Sequence, residues 1–234
     1  MYGIVVASDR FQEWLLPWWW THYATHNSFP VAFMDIGMSE KGISWCQERG
    51  LYIKLPEIAY REPPKNDFWE KRYGEDVWKI RPAWLKKPHA LLHSPFELSV
   101  WVDLDCQIKQ SLEPLFHLFF LSGKEIALVP DRQNLETLLP NEVHYNSGVI
   151  AFRQKAGFIQ QWIDTIAQCE LSGDQEYLSR SIFLNQTEVL DLPPIYNWFG
   201  RFGPNENAVI HHYSGGFGKI EIIKSLQSTL GIGI

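Results

Sequence analysis

The chain has too few cysteines for a zinc site built from cysteines alone: Cys46, Cys106 and Cys169 are its only three, widely spaced and without a CxxC pair. An odd, scattered set fits reduced thiols and excludes a cysteine zinc site. No apolar run reaches the length a bilayer demands, and Met1 to Asp9 carries no basic leader. These absences predict a cytoplasmic protein with no transmembrane segment, although peripheral membrane contact stays open. Positive charge is also scarce. The net charge is −6 over 234 residues, with Lys and Arg scattered, so no nucleic-acid partner is expected and a nucleotide would have to be held by local chemistry. There is no repeat, low-complexity tract or linker, which predicts one domain over 1–234. No glycine follows the first apolar segment until Gly37, so the dinucleotide-binding glycine fingerprint is missing.

Apolar residues make up 45% of the chain, enough for a full core. Tyr2 to Ala7 reads as a buried strand, and Phe11 to Ala24, rich in aromatics, as the helix after it. Val31 to Asp35 is a second strand, Ser39 an N-cap for a helix to about Arg49, and Leu51 to Leu55 a third strand. This alternation predicts an α/β fold with a Rossmann-like, mainly parallel sheet flanked by helices. Eleven residues are tryptophan. Trp18-Trp19-Trp20 covers most of a helix circumference, which predicts one ring in the core and another at the surface. From about Pro56 to Pro82 runs a polar, aromatic interruption too long for a connector, of the kind that is functional or partly ordered. Ala83 to His93 reads as one helix. Further helices are expected at 111–121 and 158–169 and from Asp174, with strands at 126–129 and 144–153 and near Val189 and Val209.

The segment Ser99 to Ile108 says most about chemistry, because Asp103 and Asp105 sit one residue apart where Val100-Trp101-Val102 runs out. Residues two apart in a strand face the same side, so the two carboxylates are expected to converge. Like charges that close raise each other's pKa unless a cation lies between them, and a divalent ion is the obvious candidate. A chance Asp-x-Asp arises about once in a chain this long, so position is what singles this one out. Downstream come Tyr145-Asn146-Ser147-Gly148-Val149, Asp174-Gln175, Pro193 to Trp198, and Val209-Ile210-His211-His212-Tyr213-Ser214-Gly215-Gly216-Phe217-Gly218-Lys219.

In this order, over nearly the whole chain, these motifs resemble the GT-A nucleotide-sugar glycosyltransferases. They are most similar to retaining family 8, which includes glycogenin and bacterial galactosyltransferases. The resemblance implies that Asp105 ligates a Mn2+ or Mg2+ ion, that Asp103 binds metal and ribose, and that a C-terminal histidine completes the ligands. His212 has the family's three-residue distance to Gly215. Lys219 stands one residue later than the family's phosphate-binding lysine, which keeps His211 open as the ligand. An imidazole ligand favours manganese. Gly215, Gly216 and Gly218 read as a turn whose amides approach the donor's phosphates, with Lys219 adding charge. Lys87, sixteen residues before Asp103, resembles the donor-binding basic residue, with Lys86 beside it as an ordinary exposed lysine. Ser8 and Asp9 end the first strand, where the family holds base and ribose; Asp35 is a weaker candidate, and N-capping accounts equally well for Asp9. Asn146, Asp174 and Gln175 resemble the groups at the donor sugar, with capping the competing role for Asp174. Asn197 and Trp198 would lie near the acceptor or in the core.

The expected activity is metal-dependent transfer of a hexose from a nucleoside diphosphate sugar, a UDP-hexose by resemblance, to an unidentified acceptor hydroxyl with retention. Three alternatives remain. An inverting GT-A enzyme would use Asp174 or Asp131 as base. A sugar nucleotidyltransferase would need a glycine-rich loop where Ala7-Ser8-Asp9-Arg10 stands. A Trp-rich carbohydrate-binding protein would need no catalysis.

Overall fold

The protein is described by a computed structural model covering residues 1–58, 65, 67–131 and 138–230. Its centre is a seven-stranded sheet in the order β3-β2-β1-β4-β7-β6-β8. The strands are β1 (Tyr2–Ser8), β2 (Val31–Asp35), β3 (Leu51–Lys54), β4 (Leu98–Val102), β6 (Ile126–Pro130), β7 (Tyr145–Arg153) and β8 (Val189–Asp191). Every pairing is parallel except those of β7, which runs antiparallel to both β4 and β6. β2 and β4 are buried at every residue, as parallel strands covered on both faces must be.

Alternate residues feed two cores. Ile4, Val6, Phe33, Val100 and Val102 join the core under α1 (Leu16–His26), α2 (Glu40–Gln47) and α6 (Glu113–Ser122). Val5, Met34 and Trp101 join the one under α5 (Lys87–Leu92), α7 (Gly157–Gln168) and α8 (Asp174–Asn185). The full burial of Trp19, Trp162, Phe116 and Phe158 contributes about 2–3 kcal/mol apiece from hydrophobic transfer.

This arrangement positions the site. The carboxyl ends of β1, β2 and β4 lie along one edge, and β7, running the other way, brings its amino end there too. Between Leu128 and Val129 the β6–β7 register jumps from Ile150 to Asn146. Such a bulge takes residues out of the ladder and re-aims their side chains, here Ser147 and Gly148. A second sheet of β5 (Cys106–Ile108), β10 (Ile210–His212) and β9 (Trp198–Phe199) closes the same edge. In it β10 lies antiparallel to β5, setting His212 opposite Cys106.

Several sequence expectations are corrected. Trp18 and Trp19 are buried, and Trp20 is half-buried against Phe33 and Trp45, so none of the three is a surface ring; α2 covers the face left over for solvent. The first helix begins as a 3-10 turn at Glu13–Leu15 before α1. The interruption after Pro56 holds two helices among its described residues, α3 (Asp67–Tyr73) and α4 (Val77–Leu85), while 59–64 and 66 lie outside them. The single helix over 83–93 is two, α4 and α5, because Pro88 has no N–H with which to continue the ladder of α4. The glycine-rich segment is no loop: Gly215, Gly216 and Gly218 open helix α9 (Gly215–Leu230). Gly218 is required there, since a Cβ would fall 2.1 Å from the Tyr213 carbonyl oxygen. Among the described residues no helix is long and apolar enough to cross a membrane.

Candidate active site

A cleft of about 340 Å³ opens at the shared strand edge, and Ser8, Asp9, Lys87, Asp103, Asp105, Asn146, Asp174, Gln175, His212, Gly215 and Lys219 all line it. These donor, metal and sugar candidates are therefore brought together, whereas Asp35, His211, Gly216 and Gly218 do not line the cleft. The reason first given for the convergence of Asp103 and Asp105 does not hold, however. β4 ends at Val102, and Asp103-Leu104-Asp105 is a turn closed by the Cys106 N–H donating to the Asp103 carbonyl at 3.0 Å. On this turn the two carboxylates meet different partners.

Asp103 faces Lys87. The ammonium lies 3.1 Å from Asp103 Oδ1 and 2.6 Å from Asp174 Oδ2, and donates to the carbonyl and hydroxyl of Ser147, each at 3.1 Å. The Trp101 indole N–H also donates to Asp103 Oδ1, at 2.7 Å. Burial pulls the Lys87 ammonium down, but Asp103 and Asp174 outweigh it and hold its pKa above the usual lysine value. For Asp103 burial dominates and raises the carboxyl, with Lys87 offsetting only part and the Asp105 charge adding to the rise.

Asp105 faces two groups from the C-terminal quarter. Lys219 Nζ donates to Oδ2 at 2.9 Å, and His212 Nε2 lies 3.3 Å from Oδ1. Burial alone would raise this carboxyl, yet Lys219 and His212 hold it well below the ordinary carboxylate range. His211 points elsewhere: it stacks on Tyr213 with ring centroids 4.4 Å apart, and its Nε2 has no hydrogen-bond partner among the described residues.

The tautomer of His212 follows from a chain of amides. The Gly148 N–H donates to Asn146 Oδ1 at 2.8 Å, which fixes that atom as oxygen; Asn197 Nδ2 donates to the same oxygen at 2.7 Å. Asn197 Oδ1 therefore faces His212 Nδ1, at 2.9 Å, so Nδ1 carries the proton and the Nε2 lone pair is aimed at Asp105. A carboxylate oxygen and an imidazole lone pair that close call for a proton or a cation between them, and an oriented Nδ1–H is the usual partner of a metal-binding imidazole. Gly148 keeps the ring's place open, because a Cβ there would lie 2.3 Å from His212 Cε1. The chain continues to the sugar end, where Asn146 Nδ2 donates to Gln175 Oε1 at 2.8 Å. The donor set fits a divalent ion.

On the α8 side of the cleft, Asp174 opens the helix without capping it; its Oδ2 accepts from the Ser147 hydroxyl at 2.8 Å as well as from Lys87. The loop before it is pinned by buried Arg81 of α4, which donates to the carbonyls of Ser172 and Leu171, both at 3.0 Å, and to Tyr177 Oη at 2.9 Å. The interruption thus reaches the site through Arg81, and Tyr73 and Trp84 line the cleft. At the end of β1, Asp9 lines the cleft but its Oδ1 also accepts from the N–H groups of Phe11 and Gln12, both at 2.9 Å. Asp35 does not line it.

Sequence reasoning missed Trp101, Ser147, Arg81 and the pair formed by Arg201 and Asp131, whose Nη2–Oδ1 distance is 2.8 Å. Trp101 was findable, being two residues from Asp103; nothing in the sequence marks Arg81. Trp198 is not on the cleft, as its indole N–H is used by the Gly203 carbonyl at 2.8 Å.

The fold is that of the GT-A glycosyltransferases. It is similar to galactosyltransferase LgtC in complex with donor and acceptor sugar analogs, with TM-score 0.62 and 16% identity over 92% of this chain and 87% of that one. It is also similar to mouse xyloside xylosyltransferase 1 in its apo form, with TM-score 0.58 and 12% identity over 90% and 97%. A third likeness is to the glycosyltransferase GlyE of Streptococcus pneumoniae TIGR4, with TM-score 0.58 and 16% identity over 100% and 66%. No family model and no curated protein sequence matches the chain.

Proposed function

We propose that this protein is a divalent-metal-dependent glycosyltransferase that moves a hexose from UDP-hexose to an acceptor hydroxyl with retention. The observation that carries this reading is the pairing of Asp105 with an oriented His212 in a cleft where Lys87 already serves Asp103 and Asp174, and Arg201 serves Asp131. Asp105 and His212, with Asp103 beside them, would hold manganese in preference to magnesium, given the imidazole. Once bound, the ion supplies positive charge to the departing diphosphate. Lys219 supplies more of the same, and Ser8 and Asp9 lie where a base and ribose would rest. Gln175 and Asn146 orient the donor sugar and face the developing positive charge of the reacting centre.

Retention is favoured over inversion by the state of the candidate bases. Asp174 Oδ2 is held by Lys87 and the Ser147 hydroxyl, and Asp131 by Arg201. A carboxylate so engaged is a poor acceptor for the proton of an attacking hydroxyl, whereas the leaving phosphate can take that proton itself. Isothermal titration of UDP with and without Mn2+ tests the reading: affinity should appear only with the metal. Metal-independent sugar binding without UDP affinity would instead identify a carbohydrate-binding protein. The anomeric configuration of the product, read by NMR, separates retention from inversion.

A further inference from the structure

The proposed cation site has an unusual neighbour. Cys106 follows Asp105 directly and is the cross-strand partner of His212 in the β5–β10 ladder. Directly opposed residues of an antiparallel pair project to the same face with Cβ atoms about 5 Å apart, so thiol and imidazole share one side of the small sheet. Both also pack against Gly148: Cys106 Sγ lies 4.0 Å from its carbonyl oxygen, and the His212 ring fills the space a Cβ would take. One donor atom each from Asp105, Cys106 and His212 falls within 4.8 Å of the other two, and all three residues are buried.

We propose that Cys106 is a third ligand that lets this site capture thiophilic divalent ions, Zn2+, Co2+ or Cd2+, through an oxygen, nitrogen and sulfur donor set. The inference rests on the cation site proposed above and adds a ligand to it. Tetrahedral bonds of about 2.0–2.3 Å place donors roughly 3.5 Å apart, so atoms within 4.8 Å of one another must close by up to about 1.3 Å, within reach of side-chain rotations. Asp105 Oδ2 is taken by Lys219, while Oδ1 is the oxygen turned toward His212. The step is balanced: the ion gains a bond to sulfur and the thiol proton leaves to solvent. A hard ion such as Mn2+ gains little from the sulfur, whereas a soft one gains a thiolate. The same cleft would then hold Zn2+ more tightly than the ion it works with, and zinc would act as an inhibitor.

Titration of Co2+ into the full chain without nucleotide provides the test, followed by sulfur-to-cobalt charge-transfer absorption alongside calorimetry. A saturating charge-transfer band is expected, and Cys106→Ser and Cys106→Val should abolish it and weaken Zn2+ binding at least about tenfold. Should neither variant fold, Asp105→Asn retains the thiol and should still lose the band at cobalt concentrations that saturate the native protein. Cobalt binding without a sulfur band, or a band that survives Cys106→Ser and so arises from Cys46 or Cys169, would overturn the thiolate ligand while leaving manganese-dependent UDP binding intact. Absence of binding by both Co2+ and Mn2+ with UDP would overturn the cation site itself.

Discussion

Aspartates at one sheet edge meet two fates. At the ends of β1 and β2, Asp9 and Asp35 are consumed by their own neighbourhood: Asp9 Oδ1 takes two N–H groups within three residues, and Asp35 takes those of Gly37 and Met38 and the Tyr52 hydroxyl. Beyond β4, Asp103 and Asp105 are matched to partners far along the chain, Asp103 to Lys87 and Asp105 to Lys219 and His212. The first kind shapes a turn whatever the cleft contains. The second kind holds charge in a buried place, a costly arrangement that stability alone does not favour, since apolar packing would serve it as well. The contrast separates aspartates that build turns from those that, under the proposed function, hold the ion.

Lys87→Met should break the comparison hardest. It strands Asp103 and Asp174 in a buried site, and the loss of folding free energy should be about 3–5 kcal/mol by chemical denaturation. A loss under about 1 kcal/mol would mean that the two carboxylates take up protons without penalty. Asp105→Asn keeps the shape and removes the charge, so manganese-dependent UDP affinity should fall at least about 100-fold, near 2.7 kcal/mol. Close like charges alone would make Asp105→Ala a relief of repulsion; with Lys219 and His212 on it, alanine would leave a lysine uncompensated, and the amide is the cleaner probe. Asn197→Ala frees the His212 tautomer and should weaken metal binding about 10–100-fold, and more for metal than for UDP without metal.

Asp35→Asn is the smallest change and sharpens the other side. Burial would raise this carboxyl, but the Met38, Tyr52 and Gly37 donors outweigh it and hold its pKa below the usual value. Its stabilisation is present above the unfolded-state pKa of about 3.9 and is lost as pH falls toward the folded-state value. The variant should flatten the acid limb of the stability curve below about pH 4 and shift manganese-dependent UDP affinity less than about twofold. A large loss of that affinity would move Asp35 into the ligand-handling class.

Legibility in the sequence followed locality. β1, β2 and β4 were visible because buried parallel strands are continuous apolar runs, β7, antiparallel to both neighbours, through its apolar stretch from Val149 to Phe152, and the Ser39 cap because its partner is three residues away. Asp103, Asp105, Ser8 and Asp9 were visible because they stand where apolar strands run out, and the other cleft residues through the order of motifs that resembles the GT-A families. What escaped depends on contacts set by the tertiary fold. The turn at Asp103-Leu104-Asp105 exists because β5 leaves for a second sheet, and that sheet needs β10, about a hundred residues on. The division of the two carboxylates between Lys87 and the pair of Lys219 and His212 has no signature in their spacing. Arg81 meets the Ser172 carbonyl across 91 residues, and no periodicity encodes that.

The bond between Asp105 and Lys219 spans 114 residues, and this has a consequence for how the molecule is made. During synthesis the central strands β1, β2 and β4 and the Lys87–Asp103 pair all precede both partners of Asp105. Until β10 and α9 dock, that carboxylate has no counter-charge, and burying it would cost several kcal/mol. The early frame is thus kept from closing on itself. β10 and α9, which emerge after that frame, act as a latch, and a chain lacking them should expose this edge to proteases while its central sheet is already formed.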